Sequence, residues 1–385
     1  MTTRVAIAPD VLMWAQRRSG RSSEELAQRF KRWSAWIGGE KAPTVKQVQA
    51  LASYTHLPFG YFFLTEPPVV GLPVPDFRVG REWQGEPSQD LIEVLQASLR
   101  RQSWYRDFAL RHGDAALDFV GSVSDRQDVN EVAGELRSKL AFEVQQRSAL
   151  ATWADTRRYL LHAFEDLGGL TVATSMVANN THRLLDPREF QGFTLADEYA
   201  PLIFVNAANT LAAQIFTILH EIAHVWRGES GVSDEQVDLA PDNTAERWCN
   251  AIASEALVPI SDLQDRYSRD RDLTPELDRL ARVYRCSTLV VLIRLRESER
   301  ISQRVFDTTY PAELERIRLA SASRGRSGGG GDFYLNQPYR IGERVSRAII
   351  IDTLEGKTAL RDAMRLLSFS KVSQFDTYAE RLGIG

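Results

Sequence analysis

Cysteine is scarce. Cys249 and Cys286 are the two thiols in 385 residues, far apart and without a CxxC partner. That excludes a disulfide scaffold and fits reduced thiols in a cytosol. Long apolar runs are missing as well: none approaches the ~18–20 residues that span a bilayer, so no membrane partner is expected. The N-terminus, MTTRVAIAPDVLMWAQRRSG, has no basic stretch followed by an apolar one, and no signal peptide is expected from it. Charge of one sign is also lacking, with 47 Lys and Arg against 51 Asp and Glu for a formal −4. No strong overall field therefore draws nucleic acid or an anionic surface. No repeat is evident. What remains is ordinary for a globular protein of the cytoplasm: 43% apolar residues, 25% charged residues and enough length for two or more domains.

The pattern along the chain divides it. Residues 1–66 read as a small helical domain, with capping boxes at Ser22/Glu25 and Thr44/Gln47 and apolar positions Leu26, Phe30, Val45, Val48 and Leu51 at helical spacing. A proline-rich stretch, PPVVGLPVP, marks a linker over 67–87. Residues 88–165 read as a helical connecting region. From 166 to 300 the pattern changes: GGLTVATSMV and APLIFVNAA read as strands, and LAAQIFTILHEIAHVW as a long helix. A polar segment, RGESGVSDEQVDLAPDNT, leads to a further helix, AERWCNAIASEAL, which Pro259 stops. The C-terminal region 301–385 holds a Gly/Ser-rich linker at 321–331. The fold class expected is α+β and mostly helical, a small sheet in a central domain flanked by helical domains.

One motif carries chemistry. His220 and His224 stand four apart, on one face of a helix, so both imidazoles reach a single cation. Glu221 lies one step around, placed to hold water without ligating. A catalytic zinc takes three protein ligands and keeps a place for water, so a third donor is needed from Glu229, Asp234, Glu235, Asp238, Asp242, Glu246 or Glu255. Most lie in the polar segment. Glu246 is preferred because it falls in the first turn of a helix that Asn243 or Thr244 caps, and helices hold ligands more rigidly than loops. Two imidazoles and a carboxylate suit Zn2+ best, with Mn2+ or Fe2+ also accepted.

These residues also carry a resemblance. FTILHEIAHVWRGESGVSD followed by ERWCNAIASEALVP is similar to the ImmA/IrrE family of bacterial metallopeptidases, whose motifs are HExxH and roughly ExxAN-x-FAAxLLMP. Glu246, Cys249, Asn250, Ile252, Ala253, Ser254, Leu257, Val258 and Pro259 occupy the second motif, with Cys249 in place of Ala and Ile252 in place of Phe. The resemblance implies a zincin-like endopeptidase over 166–300, with His220, His224 and Glu246 as ligands and Glu221 as the catalytic acid/base. It further implies a protein substrate such as a transcriptional repressor in a stress or phage response. Tyr267 and Tyr284 are candidates for stabilising an oxyanion, and EFQGFTLAD (189–197) is a candidate sheet edge for a substrate strand.

The first domain resembles an XRE-type helix-turn-helix unit. Residues 1–78 hold ten Lys/Arg against six Asp/Glu, and Arg29, Lys31 and Arg32 are placed for phosphate contacts. However, Phe30 and Trp36 are separated by five residues, KRWSA, where such domains have about nine, so much of a recognition helix is missing. DNA binding and protein docking both stay open for this domain. The rival to the enzyme is a regulatory, antitoxin-like binding protein with a structural or vestigial metal site. TPELDRLARVYR and CSTLVVLIRLRES also look like a helix-turn-helix, but their mixed charges favour packing.

Overall fold

The computed structural model describes residues 3–77, 86–233, 244–323 and 332–384. The chain forms two compact units, Met1–Pro73 with Gly85–Leu95, and Val74–Gln84 with Gln96–Gly385.

The first unit is built from α1 (Pro9–Arg18), α2 (Ser23–Arg29), α3 (Trp33–Ile37) and α4 (Val45–Thr55). Both expected capping boxes form: the Ser22 hydroxyl accepts from Glu25 N–H, and the Thr44 hydroxyl from Gln47 N–H. Leu26, Phe30, Trp33, Trp36, Val48 and Leu51 make its core. Burial of Trp33 and Trp36 fixes α3 as a five-residue turn of helix with both indoles turned inward.

The second unit is mostly helical around one small sheet. Its elements are α5 (Gln89–His112) from Gln96 onward, α6 (Val129–Lys139), α7 (Trp153–Asp166), β1 (Leu170–Thr174), β2 (Gly192–Leu195), β3 (Leu202–Asn206), α8 (Leu211–Arg227), β4 (Gly231–Ser233), α9 (Thr244–Leu257), α10 (Ile260–Arg266), α11 (Leu273–Tyr284), α12 (Thr288–Glu297) and α13 (Gln303–Ser323). Then follow α14 (Phe333–Ile341), α15 (Glu343–Leu354), α16 (Leu360–Leu366) and α17 (Val372–Arg381). The sheet order is β1-β3-β2-β4, with β1 parallel to β3 and the other pairs antiparallel. Every strand residue is buried, and β1 and β3 fall within the two short β-branched runs that read as strands.

One sequence expectation changes here. The segment 189–197 does form a strand, but β2 is paired on both sides and is no edge. The terminal strands are β1 and β4, the latter three residues inside what reads as a polar loop and too short to show a period. Of the linker, Pro75–Phe77 pairs alongside β4, and 78–85 lies outside the described residues. The C-terminal region is helical through α17, and of the Gly/Ser stretch only 321–323 is described, at the end of α13. No helix among the described residues is long and apolar enough to cross a membrane.

Helix α8 is the axis of this unit. Thr210 caps its start and Gly228, at φ 71°, ends it in the left-handed region. It is apolar on nearly every side, and all residues from Gln214 to Trp226 are buried between α7, α9 and the sheet. Helix α9 is fixed from its far end. Its last carbonyls would be orphaned in the core. Instead Arg137 donates to Glu255 O, Arg147 to Ala256 O and Leu257 O, and Arg294 to Val258 O. Arg147 also donates to Phe142 O and Tyr284 O, and is 1% exposed with its guanidinium pushed down to about 10 by burial. Arg294 is paired with the Glu255 carboxylate, so this part of α12 is a packing device and not a solvated face.

Arg147 serves these carbonyls through donors that no apolar side chain replaces. Arg147→Met is therefore expected to destabilise the protein by about 3 kcal/mol or more, because buried acceptors lose their donors. Thermal melting followed by circular dichroism checks this; an unchanged midpoint counts against the role.

Candidate metal centre

Two neighbouring helices build the site. On α8, His220 and His224 sit one turn apart with their Nε2 atoms 2.9 Å from each other. From the first turn of α9, Glu246 brings Oε2 to 3.3 Å of His220 Nε2 and Oε1 to 3.1 Å of His224 Nε2. Three ligand atoms thus converge from the three residues that the sequence singles out, and all three residues are buried. Donors sharing one zinc ion at ~2.0–2.2 Å sit at about this spacing from one another.

The other acids fall away. Glu229 chelates the Arg227 guanidinium, at 2.8 Å, and Glu255 is committed to Arg294. Asp234, Glu235, Asp238, Asp242 and the capping candidate Asn243 lie outside the described residues.

The surroundings orient the donors. The Asn250 amide oxygen accepts from His220 Nδ1, at 2.9 Å, which leaves the Nε2 lone pair directed at the ligand point. Asn250 lies four residues after Glu246, so one face of α9 supplies both a ligand and the group that orients another ligand. Glu221 points to the sheet. Thr194 Oγ1 on β2 donates to its Oε2 at 2.6 Å, and the same hydroxyl lies 2.9 Å from the Glu221 carbonyl oxygen. Gly192 makes the room: a Cβ there would lie 2.4 Å from Glu221 Oε1.

Electrostatics sort the groups by protonation state. Burial pushes the His220 imidazole down to about 4, against the opposing pull of Glu246. Burial acts on Glu246 in the raising direction, but the His220 and His224 imidazoles outweigh it and hold its carboxyl well below the usual range. Neutral imidazole and carboxylate are the ligating forms. Glu221 goes the other way: burial raises it far above the ordinary carboxylate range, opposed by the Thr194 hydrogen bond and reinforced by repulsion from Glu246. Among the described residues no donor reaches hydrogen-bond distance of its buried Oε1, although the Ser233 hydroxyl on β4 adds a second opposing pull on the carboxyl. Three convergent, buried ligand atoms fit a divalent cation, and Glu221 follows His220 directly on the same helix.

The remaining predicted residues lie elsewhere. Tyr284 is wholly buried, and its hydroxyl donates to Asp262 at 2.8 Å. Tyr267 packs at the margin of the core formed by α10 to α12. Neither has a described contact with the cluster. Arg29, Lys31 and Arg32 are exposed around the turn from α2 to α3, in the first unit. Thr194, Gly192 and the role of Asn250 were not read from the sequence, because each depends on a fold contact and none on local spacing.

Comparison with known families agrees with this geometry. Residues 164–296 match the peptidase M78 family, described as the IrrE N-terminal-like domain. The match runs from the end of α7 into α12 and holds the whole cluster. It supports a metallopeptidase domain of the ImmA/IrrE type. Residues 341–381, essentially α15 to α17, match a domain of unknown function, DUF8813. No curated protein matches the chain.

The hydrogen bond from His220 to Asn250 predicts a graded effect on metal affinity. Asn250→Ala is expected to weaken Zn2+ binding about 10–100-fold while leaving the fold intact. Glu246→Ala, which removes a ligand outright, should weaken it further. Competition with a chromogenic chelator measures both, and equal affinity in wild type and Asn250→Ala would refute the orienting role.

Proposed function

We propose that the domain over 166–300 is a zinc-dependent endopeptidase acting on a peptide bond of a protein substrate. The observation that carries this reading is the convergence of His220, His224 and Glu246, with Glu221 next to His220 on the same helix. A divalent ion in this place supplies Lewis acidity, polarising an amide carbonyl and acidifying water. The protein's residues do the rest. Asn250 holds His220 in the tautomer that ligates, and Thr194 holds Glu221 Oε2 so that Oε1 is the atom left to take a proton. Oε1 accepts the proton from the attacking water and delivers it to the departing amide nitrogen, a base and then an acid.

The substrate class rests on the family likeness: a transcriptional repressor or similar regulator in a stress or mobile-element response. For the first unit, we favour docking of a protein over reading of DNA. In support, α3 is five residues long and turns Trp33 and Trp36 into the core, so few side chains are left to reach base edges. Arg29, Lys31 and Arg32 then provide a basic rim rather than a sequence reader. In a gel shift at low salt, the full chain is expected to give no discrete complex with duplex DNA; a sequence-dependent shift reduced by Arg29→Ala and Arg32→Ala would restore the XRE-like reading.

The enzyme reading is tested with Glu221→Gln. This variant should keep its zinc, measured by metal analysis, and lose at least ~100-fold in cleavage of a quenched peptide library. Cleavage at the wild-type rate would overturn Glu221 as the base. A regulatory binding protein with a vestigial site predicts instead that Glu221→Gln complements a deletion strain fully.

A further inference from the structure

The sheet edge nearest the cluster is already taken. Val232, in the middle of β4, uses its outward N–H and C=O on residues 75–77: its N–H donates to Pro75 O and its C=O accepts from Phe77 N–H, both at 3.0 Å. Asp76 is thereby bridged to Val232 in the parallel sense. The pairing carries Phe77 over the metal ligands. Its ring stacks on the His224 imidazole, with centroids 5.7 Å apart and planes 10° from parallel.

Gly231 shows that the ring is seated in a made-to-measure notch. A Cβ at this position would lie 2.0 Å from Phe77 Cε2. Gly231 does not have a left-handed backbone, so its missing side chain serves the close approach of the ring and nothing else. The groups beneath are closed off: His220 and Glu221 are 0% exposed and His224 1%.

Building on the endopeptidase reading, we infer that Pro75–Phe77 is an internal stand-in for substrate, lying in the peptide-binding slot formed by Val232, Gly231 and His224. A substrate segment binds there in extended form, takes the two Val232 backbone bonds and places an aromatic side chain in the Gly231 notch. The strap must leave first, so the resting chain is latent. An edge strand with one satisfied residue is suited to such exchange, because the incoming peptide replaces each bond the strap gives up. The strap competes well because it is tethered: an intramolecular segment acts at an effective concentration near the millimolar range.

The test uses the full chain and two variants. Phe77→Ala removes the ring, and Gly231→Ala keeps the ring but fills its notch. Both should release zinc to a chelator roughly tenfold faster than wild type, the scale set by losing one aromatic pair. They should differ toward a labelled, end-blocked peptide of residues 71–77 (GLPVPDF) added in trans, read by fluorescence anisotropy. Phe77→Ala should bind it, and bind the same peptide ending in Ala at least tenfold more weakly; Gly231→Ala and wild type should not bind it. Melting temperatures of both variants separate opening from unfolding. Chelation at the wild-type rate in both variants, or peptide binding by Gly231→Ala equal to that of Phe77→Ala, would overturn the proposal. These readouts do not need turnover: if the strap behaves as stated but no variant cleaves any peptide, the endopeptidase reading fails and the slot remains.

Discussion

The structure depends on keeping α9 fixed against α8, so that one carboxylate meets two imidazoles in a place water does not wet. Two histidines on one helix are easily arranged, because 3.6 residues per turn does it. The third donor is harder. Glu246 lies in the first turn of α9, and the opposite end of that helix is tied into the core. There Arg137, Arg147 and Arg294 hold the carbonyls of residues 255–258. Three guanidinium groups spent on one helix terminus is a large commitment in a core. It becomes understandable when the helix has a ligand to hold to within a few tenths of an ångström.

The same burial that organises the ligands divides their charges. A low-dielectric pocket disfavours charge on every group, and each group escapes through a different partner. His220 sheds its proton, Glu246 is held ionised by the imidazoles, and Glu221 is pushed toward the protonated form by burial against the opposing hydrogen bond from Thr194. Neighbouring carboxylates with opposite shifts are the arrangement expected where one ligates and the other handles protons. The division follows from position: Glu246 faces the histidines, and Glu221 faces β2, where Gly192 leaves space for its head group.

How much of this was legible in the sequence depended on how local each feature is. Helices α2, α4, α8 and α9 announced themselves through caps and periodicity, and β1 and β3 through apolar runs bounded by turns. Glu246 was legible because a first-turn acid on a helix is a local pattern. Strand β4 was not, since three residues cannot display a period, and its partner lies more than 150 residues upstream. Thr194 and Gly192 were invisible for a similar reason: their roles depend on β2 being sandwiched between β3 and β4, which no spacing in 189–197 states. Helices α13 to α17 were not read from the sequence, where 301–385 stood out only through its Gly/Ser-rich stretch.

A proline-rich stretch and an edge strand each pose a problem that the other solves. An exposed edge invites pairing with foreign strands, which is useful to an enzyme that binds extended peptides and hazardous at all other times. Proline lacks the N–H to act as a full ladder partner. A segment with Pro73 and Pro75 therefore pairs with β4 through a single residue register, Pro75 O and Phe77 N–H on either side of Asp76, and goes no further. That pairing is strong enough to cover the edge and weak enough to yield. The aromatic ring adds what the backbone withholds, by filling the notch at Gly231 and covering His224. Sequence composition alone makes 67–87 a linker; it is the contact with β4 that brings Pro75–Phe77 against His224.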